Sequence, residues 1–207
     1  MAPQPHDSEP ATSTQLESVD DEARVASSPV LPPIFTVGHS NRSFDEFADV
    51  LRSHHITAIA DVRSRPYSRY LKHFGREALS ASARAAGLSY VYLGSELGGM
   101  PDDPTLYRPD GTLDIPKVVS LPAFESGIQR VRRGMQRYRI ALMCAEDDPL
   151  HCHRYRLLSV HLAQTGIEVL HLRRDGRLES MDDVARRSRP ATKANSPGAG
   201  PQGDLFG

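Results

Sequence analysis

Between positions 34 and 178, short apolar runs alternate with stretches whose apolar residues recur every three or four positions. The runs are IFTV (34–37), TAIADV (57–62), SYVYL (89–93), RIALMC (139–144) and EVLHL (168–172). Each has strand length and reads as apolar throughout rather than strictly alternating, as in strands covered on both faces. Four stretches carry the helical period. Ser43 and Glu46 form a capping-box pattern ahead of Phe44, Phe47, Val50 and Leu51. An Ala-rich segment over 77–86 stops at Gly87. Ile128, Val131 and Met135 set a helical spacing within 124–138, and a last helix over 154–164 ends before Gly166. Strands alternating with helices predict an α/β fold: a single-domain three-layer sandwich with a mostly parallel sheet of about five strands. The Gly/Pro-rich connection over 94–119 is long for a compact domain, and such loops are more often functional than idle.

The pattern fades at both ends. Residues 1–33 hold Pro, Ser, Ala and acid, and 179–207 hold Pro, Gly, Ser and basic residues. Neither can bury enough apolar surface to offset its ordering entropy, so both are expected to be disordered, with the folded domain at 34–178. The start lacks a basic segment followed by an apolar one, and no run of 18 apolar residues occurs, so a cytoplasmic, non-membrane protein is expected. Two cysteines exclude a disulfide scaffold. The net charge of -1 conceals an acidic N-terminal tail and a core with 16 acidic against 20 basic residues, 18 of them Arg. Arg in excess suits bidentate recognition of phosphate or carboxylate, or reflects nothing more than composition.

In open α/β sheets ligands bind beyond the carboxyl ends of the strands. Four such ends carry chemistry here: Gly38, His39, Ser40 and Asn41; Asp61 with Arg63, Arg65 and Tyr67; Glu96 with Gly98 and Gly99; and Cys144, Glu146, Cys152, His153 and Arg154. The segments VGHSNRSFDEF, DVRSRPYSR, YLGSELGG and LMCAEDDPLHCHR, in this order, resemble the family known as domain of unknown function 488, over roughly 34–175. The resemblance implies a small bacterial or archaeal soluble α/β domain of unassigned activity. It maps the family's motifs onto Gly38, His39 and Ser40, onto Asp61, Arg63 and Pro66, onto Leu97 and Gly98, and onto Cys144, Glu146, Cys152, His153 and Arg154.

The residues themselves leave several roles open. Cys152 and His153 sit where a helix is expected to begin, a field that favours a thiolate and an anion. Cys152 is therefore a candidate nucleophile, with Arg154 as a phosphate ligand. The cradle of His-Cys, five residues, Arg is excluded, because position 158 is Leu. Cys144, Glu146, Cys152, His153 and His39 offer metal donors, but Cys-x7-Cys-His fits no closed zinc spacing. No cofactor is expected, with a divalent metal as the alternative. Cys144 ends a buried strand and reads first as a small core residue, with a chemical role as the alternative. His39, Asp61 and Glu146 are acid/base candidates, and His39 could instead only shape its loop. There is no G-x-S-x-G elbow and no G-x-G-x-x-G turn. Arg63, Arg65 and Tyr67 lie in RSRPYSRY, which combines Arg for phosphates with aromatics for stacking bases. Ser40, Asn41 and Glu96 complete the substrate-binding candidates.

Near the C-terminus, Gln202, Leu205 and Phe206 resemble the peptide with which bacterial proteins bind the sliding clamp, with Gly203 where a larger residue is usual. The leading expectation is an enzyme acting on nucleic acid or nucleotides in DNA replication or repair, tethered to the clamp. The alternatives are an enzyme on a small phosphorylated or anionic metabolite, and a non-catalytic adaptor.

Overall fold

The computed structural model describes residues 31–189. Six strands form one sheet in the order β3-β2-β4-β1-β5-β6. They are β1 (Ile34–Gly38), β2 (Ala58–Asp61), β3 (Ser89–Tyr92), β4 (Ile140–Cys144), β5 (Val169–Leu172) and β6 (Leu178–Ser180). The first five are parallel, and β6 closes the edge antiparallel to β5. Every residue of β1, β2 and β4 is buried, as central strands with both faces covered must be.

The helices divide between the two faces. Phe47 and Leu51 of α1 (Phe44–Ser53) and Leu79 and Ala83 of α2 (Arg76–Ala85) pack on Phe35, Val37, Ile59 and Met143. Phe124, Ile128 and Val131 of α5 (Pro122–Met135) and Leu162 of α6 (Val160–Gln164) pack on Ile34, Ala60, Leu142 and Val169. Alternate residues of one strand thus feed two separate cores, which makes the fold three layers. The expected capping box at α1 is present: Ser43 accepts from the Glu46 N–H, and Glu46 accepts from the Ser43 N–H.

The connection over 94–119 is not loose. It contains α3 (Gly94–Leu97) and α4 (Ile115–Val119), and Leu97, Leu106 and Val118 anchor it in the core. The helix expected over 154–164 opens with a π-helical turn, Arg154–Ser159, before α6, a geometry frequent at functional sites.

The expected domain boundary at 178 is corrected. Residues 178–188 form β6 and α7 (Met181–Ser188). Their pattern is too short to read: β6 has three residues, and α7 buries only Val184. Tertiary contacts hold them. Ser180 and Asp183 make a second capping box, and Arg187 pairs with Asp148 and Glu179. The clamp-like residues Gln202, Leu205 and Phe206, and the other segments expected to be disordered at 1–30 and 190–207, lie outside the described residues. Among the described residues no helix is long and apolar enough to cross a membrane.

Candidate functional site

The parallel register aligns the strand ends. Gly38 of β1 stands beside Cys144 of β4, and Asp61 of β2 beside Met143. Four loops therefore leave the sheet at one rim. The loop after β4 folds back over β1: the N–H groups of His39 and Ser40 donate to the carbonyls of Cys144 and Ala145 at 3.0 and 2.9 Å. Gly38 permits this. A Cβ there would stand 1.8 Å from the Glu146 carbonyl oxygen.

Under that fold-back lies a pocket of about 270 Å³ lined by Arg63, Ser64, Arg65, Gly99, Cys144, Glu146, Cys152 and His153, among others. Its floor is a cluster of donor atoms. The Sγ atoms of Cys144 and Cys152 are each 3.7 Å from His153 Nδ1. The Cys144 thiol donates to Glu146 Oε2 at 3.0 Å. The Arg154 N–H donates to Cys152 Sγ at 3.4 Å. His153 Nε2 is 3.1 Å from the Val62 carbonyl, which can only accept. Nε2 therefore carries the proton, and the Nδ1 lone pair faces the two sulfurs. Gly99 holds the ring from the other side, since a Cβ there would lie 2.4 Å from His153 Cβ and Cγ. The hydrogen bond with Cys152, and then burial, push the Cys144 thiol up, so it is neutral. Burial acts to raise the Glu146 carboxyl, but hydrogen bonds from Cys144, its own backbone and Cys152 hold it below the usual range.

Sequence reasoning put Glu146, Cys152 and His153 in the site, and the structure brings them together. From the sequence, Cys144 reads first as core filler. Its place at the last position of β4, nine residues before His153, was the signal that it belongs to the cluster.

Several other candidates are drawn into the scaffold instead. His39 is 4% exposed, stacks on Phe74, donates from Nδ1 to the Ser40 carbonyl at 2.8 Å and receives Arg63 at Nε2. Burial, against the Ser40 hydrogen bond, lowers its pKa from 6.5 to about 4. Both of its ring nitrogens are engaged, one with the loop and one with Arg63. Asp61 is fully buried, with both oxygens held by Arg63 and Oδ2 also by the Tyr90 hydroxyl. Arg154 is 1% exposed and donates to the Glu146 carbonyl and, at 2.6 Å, to that of Asp147. Arg63 and Arg154 thus spend part of their guanidinium donors on protein groups, while the buried Arg154 Nε has no hydrogen-bond partner among the described residues. Buried Arg42, a rim residue to which the sequence assigns no role, clamps the loop after β1 through the His39 and Gly38 carbonyls.

At the mouth, Arg65 is exposed and pairs with exposed Asp102. Tyr67 and Tyr70 are 79% and 89% exposed. Ser40 is half-buried with φ +51°, and Asn41 is exposed and receives Arg174. Glu96 pairs with Arg130 away from the cluster.

This is an α/β domain whose reactive side chains gather at the carboxyl rim of a parallel sheet, over its central strands. The family model described as domain of unknown function DUF488 matches residues 43–161, more than half of the chain, and the chain belongs to that family. The matched stretch includes Cys144, Glu146, Cys152 and His153 and leaves His39 and Ser40 outside it. No curated protein and no solved structure is found to match the chain.

Proposed function

We propose that the chain is an enzyme whose reaction runs in the rim pocket on a nucleotide-sized anionic substrate, free or presented from a nucleic-acid strand. The observation that carries this reading is the contact cluster of Cys144, Cys152, His153 and Glu146 on the floor of an accessible pocket. Structural cysteines sit among apolar neighbours. Here two of them meet an imidazole and a carboxylate, which suits chemistry.

The mouth suggests the substrate class. Arg65, Arg69, Tyr67 and Tyr70 lie exposed on one loop, two solvent-facing cations with two aromatic faces for bases. Replacing Arg65 and Arg69 with Ala is expected to weaken binding of a labelled single-stranded oligonucleotide and flatten its salt dependence. Replacing Tyr67 and Tyr70 with Ala should weaken binding with the salt slope kept. If all four substitutions leave affinity and slope unchanged, the nucleic-acid part of the reading is wrong.

The pocket's small volume favours a second reading, a small phosphorylated or anionic metabolite taken without any strand. Competition separates the two. A mononucleotide should displace the oligonucleotide under the first and have no strand to displace under the second. In the first reading the peptide of Gln202, Leu205 and Phe206 tethers the enzyme to a sliding clamp. Binding to a purified bacterial clamp, lost on Leu205→Ala with Phe206→Ala, would support that placement in DNA replication or repair.

A further inference from the structure

We infer that Cys144, Cys152 and His153 form a three-donor binding site for one zinc-class divalent ion, with Glu146 beside it. The inference takes the same pocket as the proposed enzyme and does not require its activity.

The argument is geometric. A tetrahedral zinc ion with bonds of about 2.3 Å to sulfur and about 2.1 Å to nitrogen holds those two atoms about 3.6 Å apart. Cys144 Sγ and Cys152 Sγ both stand 3.7 Å from His153 Nδ1, and the three donor atoms lie within 4.8 Å of one another. Both sulfur-to-nitrogen distances thus match a coordination tetrahedron, with side chains that are buried or half-buried. Glu146 Oε2 lies outside that group and accepts the Cys144 thiol at 3.0 Å, a base for that proton, which leaves the fourth position to water or substrate.

The surroundings orient the donors as a metal requires. Metal-bound histidine commonly donates its other ring N–H to a carbonyl. His153 does so to Val62, which turns the Nδ1 lone pair inward. A thiolate ligand is stabilised by a backbone N–H, and Arg154 N–H points at Cys152 Sγ. The loop that carries Glu146 is pinned by Arg154 through the carbonyls of Glu146 and Asp147. Two thiolates with one imidazole favour zinc over magnesium or calcium. On binding, the two thiols release their protons to water, and two thiolates with one neutral imidazole balance the charge of the zinc ion. Linear spacing hides the site, because Cys144 comes from a strand end and Cys152 and His153 from the next helix start.

The test uses the full chain. Protein stripped with a chelator is incubated with zinc chloride, freed of excess ion and assayed for metal by elemental analysis; a parallel sample takes cobalt(II) for absorption spectroscopy. The expected result is one zinc per chain and a cobalt spectrum with thiolate charge-transfer bands and the intense visible bands of a tetrahedral site. Cys144→Ser with Cys152→Ser should abolish both. Gly99→Ala, which displaces the His153 ring, should weaken zinc about 10- to 100-fold. Because the double variant removes buried groups, the wild-type chain carries a second readout: zinc should slow alkylation of both cysteines and raise the thermal midpoint. Zinc retained no better by wild type than by the double variant, equal alkylation with and without zinc, or a Cys144–Cys152 disulfide in place of metal would each overturn the site. Zinc bound without any nucleotide binding would refute the proposed function and keep this site. Nucleotide binding by a chain that takes no zinc would do the reverse.

Discussion

Three arginines that look alike in the sequence have different surroundings. Arg63 is 6% exposed, and its guanidinium is held by both oxygens of the fully buried Asp61. Arg154 holds carbonyls, and Arg65 reaches solvent. Removing one partner of a buried pair strands the other charge, so Arg63→Ala is expected to destabilise the fold by about 3–5 kcal/mol. Arg65→Ala should leave stability within about 0.5 kcal/mol, as exposed pairs contribute little. Urea unfolding of the two variants checks this. A stable Arg63→Ala protein would mean that Arg63 is free to serve a ligand after all. Side-chain type was legible in the sequence at these positions. Which arginine faces a carboxylate and which faces water depends on where β2 and its loop come to rest.

At the scale of elements, periodicity located what is long and apolar. The five parallel strands and helices α1, α2 and α5 lie where their patterns put them, within a few residues. The α1 capping box was readable because all of its determinants are local. The pair β6 and α7 shows the opposite case. Its strand has three residues and its helix is mostly charged, so no pattern separates it from a solvated tail. Its stability comes from pairing with β5 and from ion pairs to the loop after β4. Ser180→Ala removes the α7 N-cap and should cost about 1 kcal/mol. Val184→Ala removes its only buried side chain and should cost roughly 2 kcal/mol. Substitutions in a disordered tail would change nothing, so an unmoved urea midpoint in both variants would contradict the docked element.

Over the whole molecule, two buried imidazoles couple stability to pH. Burial lowers His39 from 6.5 to about 4, with Arg63 acting in the same direction and Ser40, Asp61 and Glu146 against it. Burial also lowers His171 to about 3, with Arg154, Arg173 and Arg187 adding to it and Asp148 opposing. His171 bridges layers through Thr36 on β1 and Met181 on α7. Both are neutral in the folded chain. The unfolded chain takes up the two protons first, near pH 6.5, so stability is full above that pH and falls as pH drops toward 4 and then 3. The urea midpoint should therefore be clearly lower at pH 4.5 than at pH 7.5. The part of the loss belonging to His39 should shrink in His39→Gln, which has no proton to gain.

The sequence by itself determined the fold class, the position of most elements along the chain and the rim on which chemistry gathers. Those follow from local periodicity and from one topological rule: parallel strands release their loops on one side. It also supplied Cys152, His153 and Glu146 as reactive residues. Only the tertiary structure decided how they are used. Parallel pairing of β1 with β4 sets Gly38 against Cys144, and the close approach at Gly38 folds the next loop over β1. That approach brings a strand-end cysteine within 3.7 Å of a helix-start histidine. His39, Asp61, Arg63 and Arg154 come to rest buried, with protein partners that local sequence does not name, because a buried polar atom draws its partners from the packed chain.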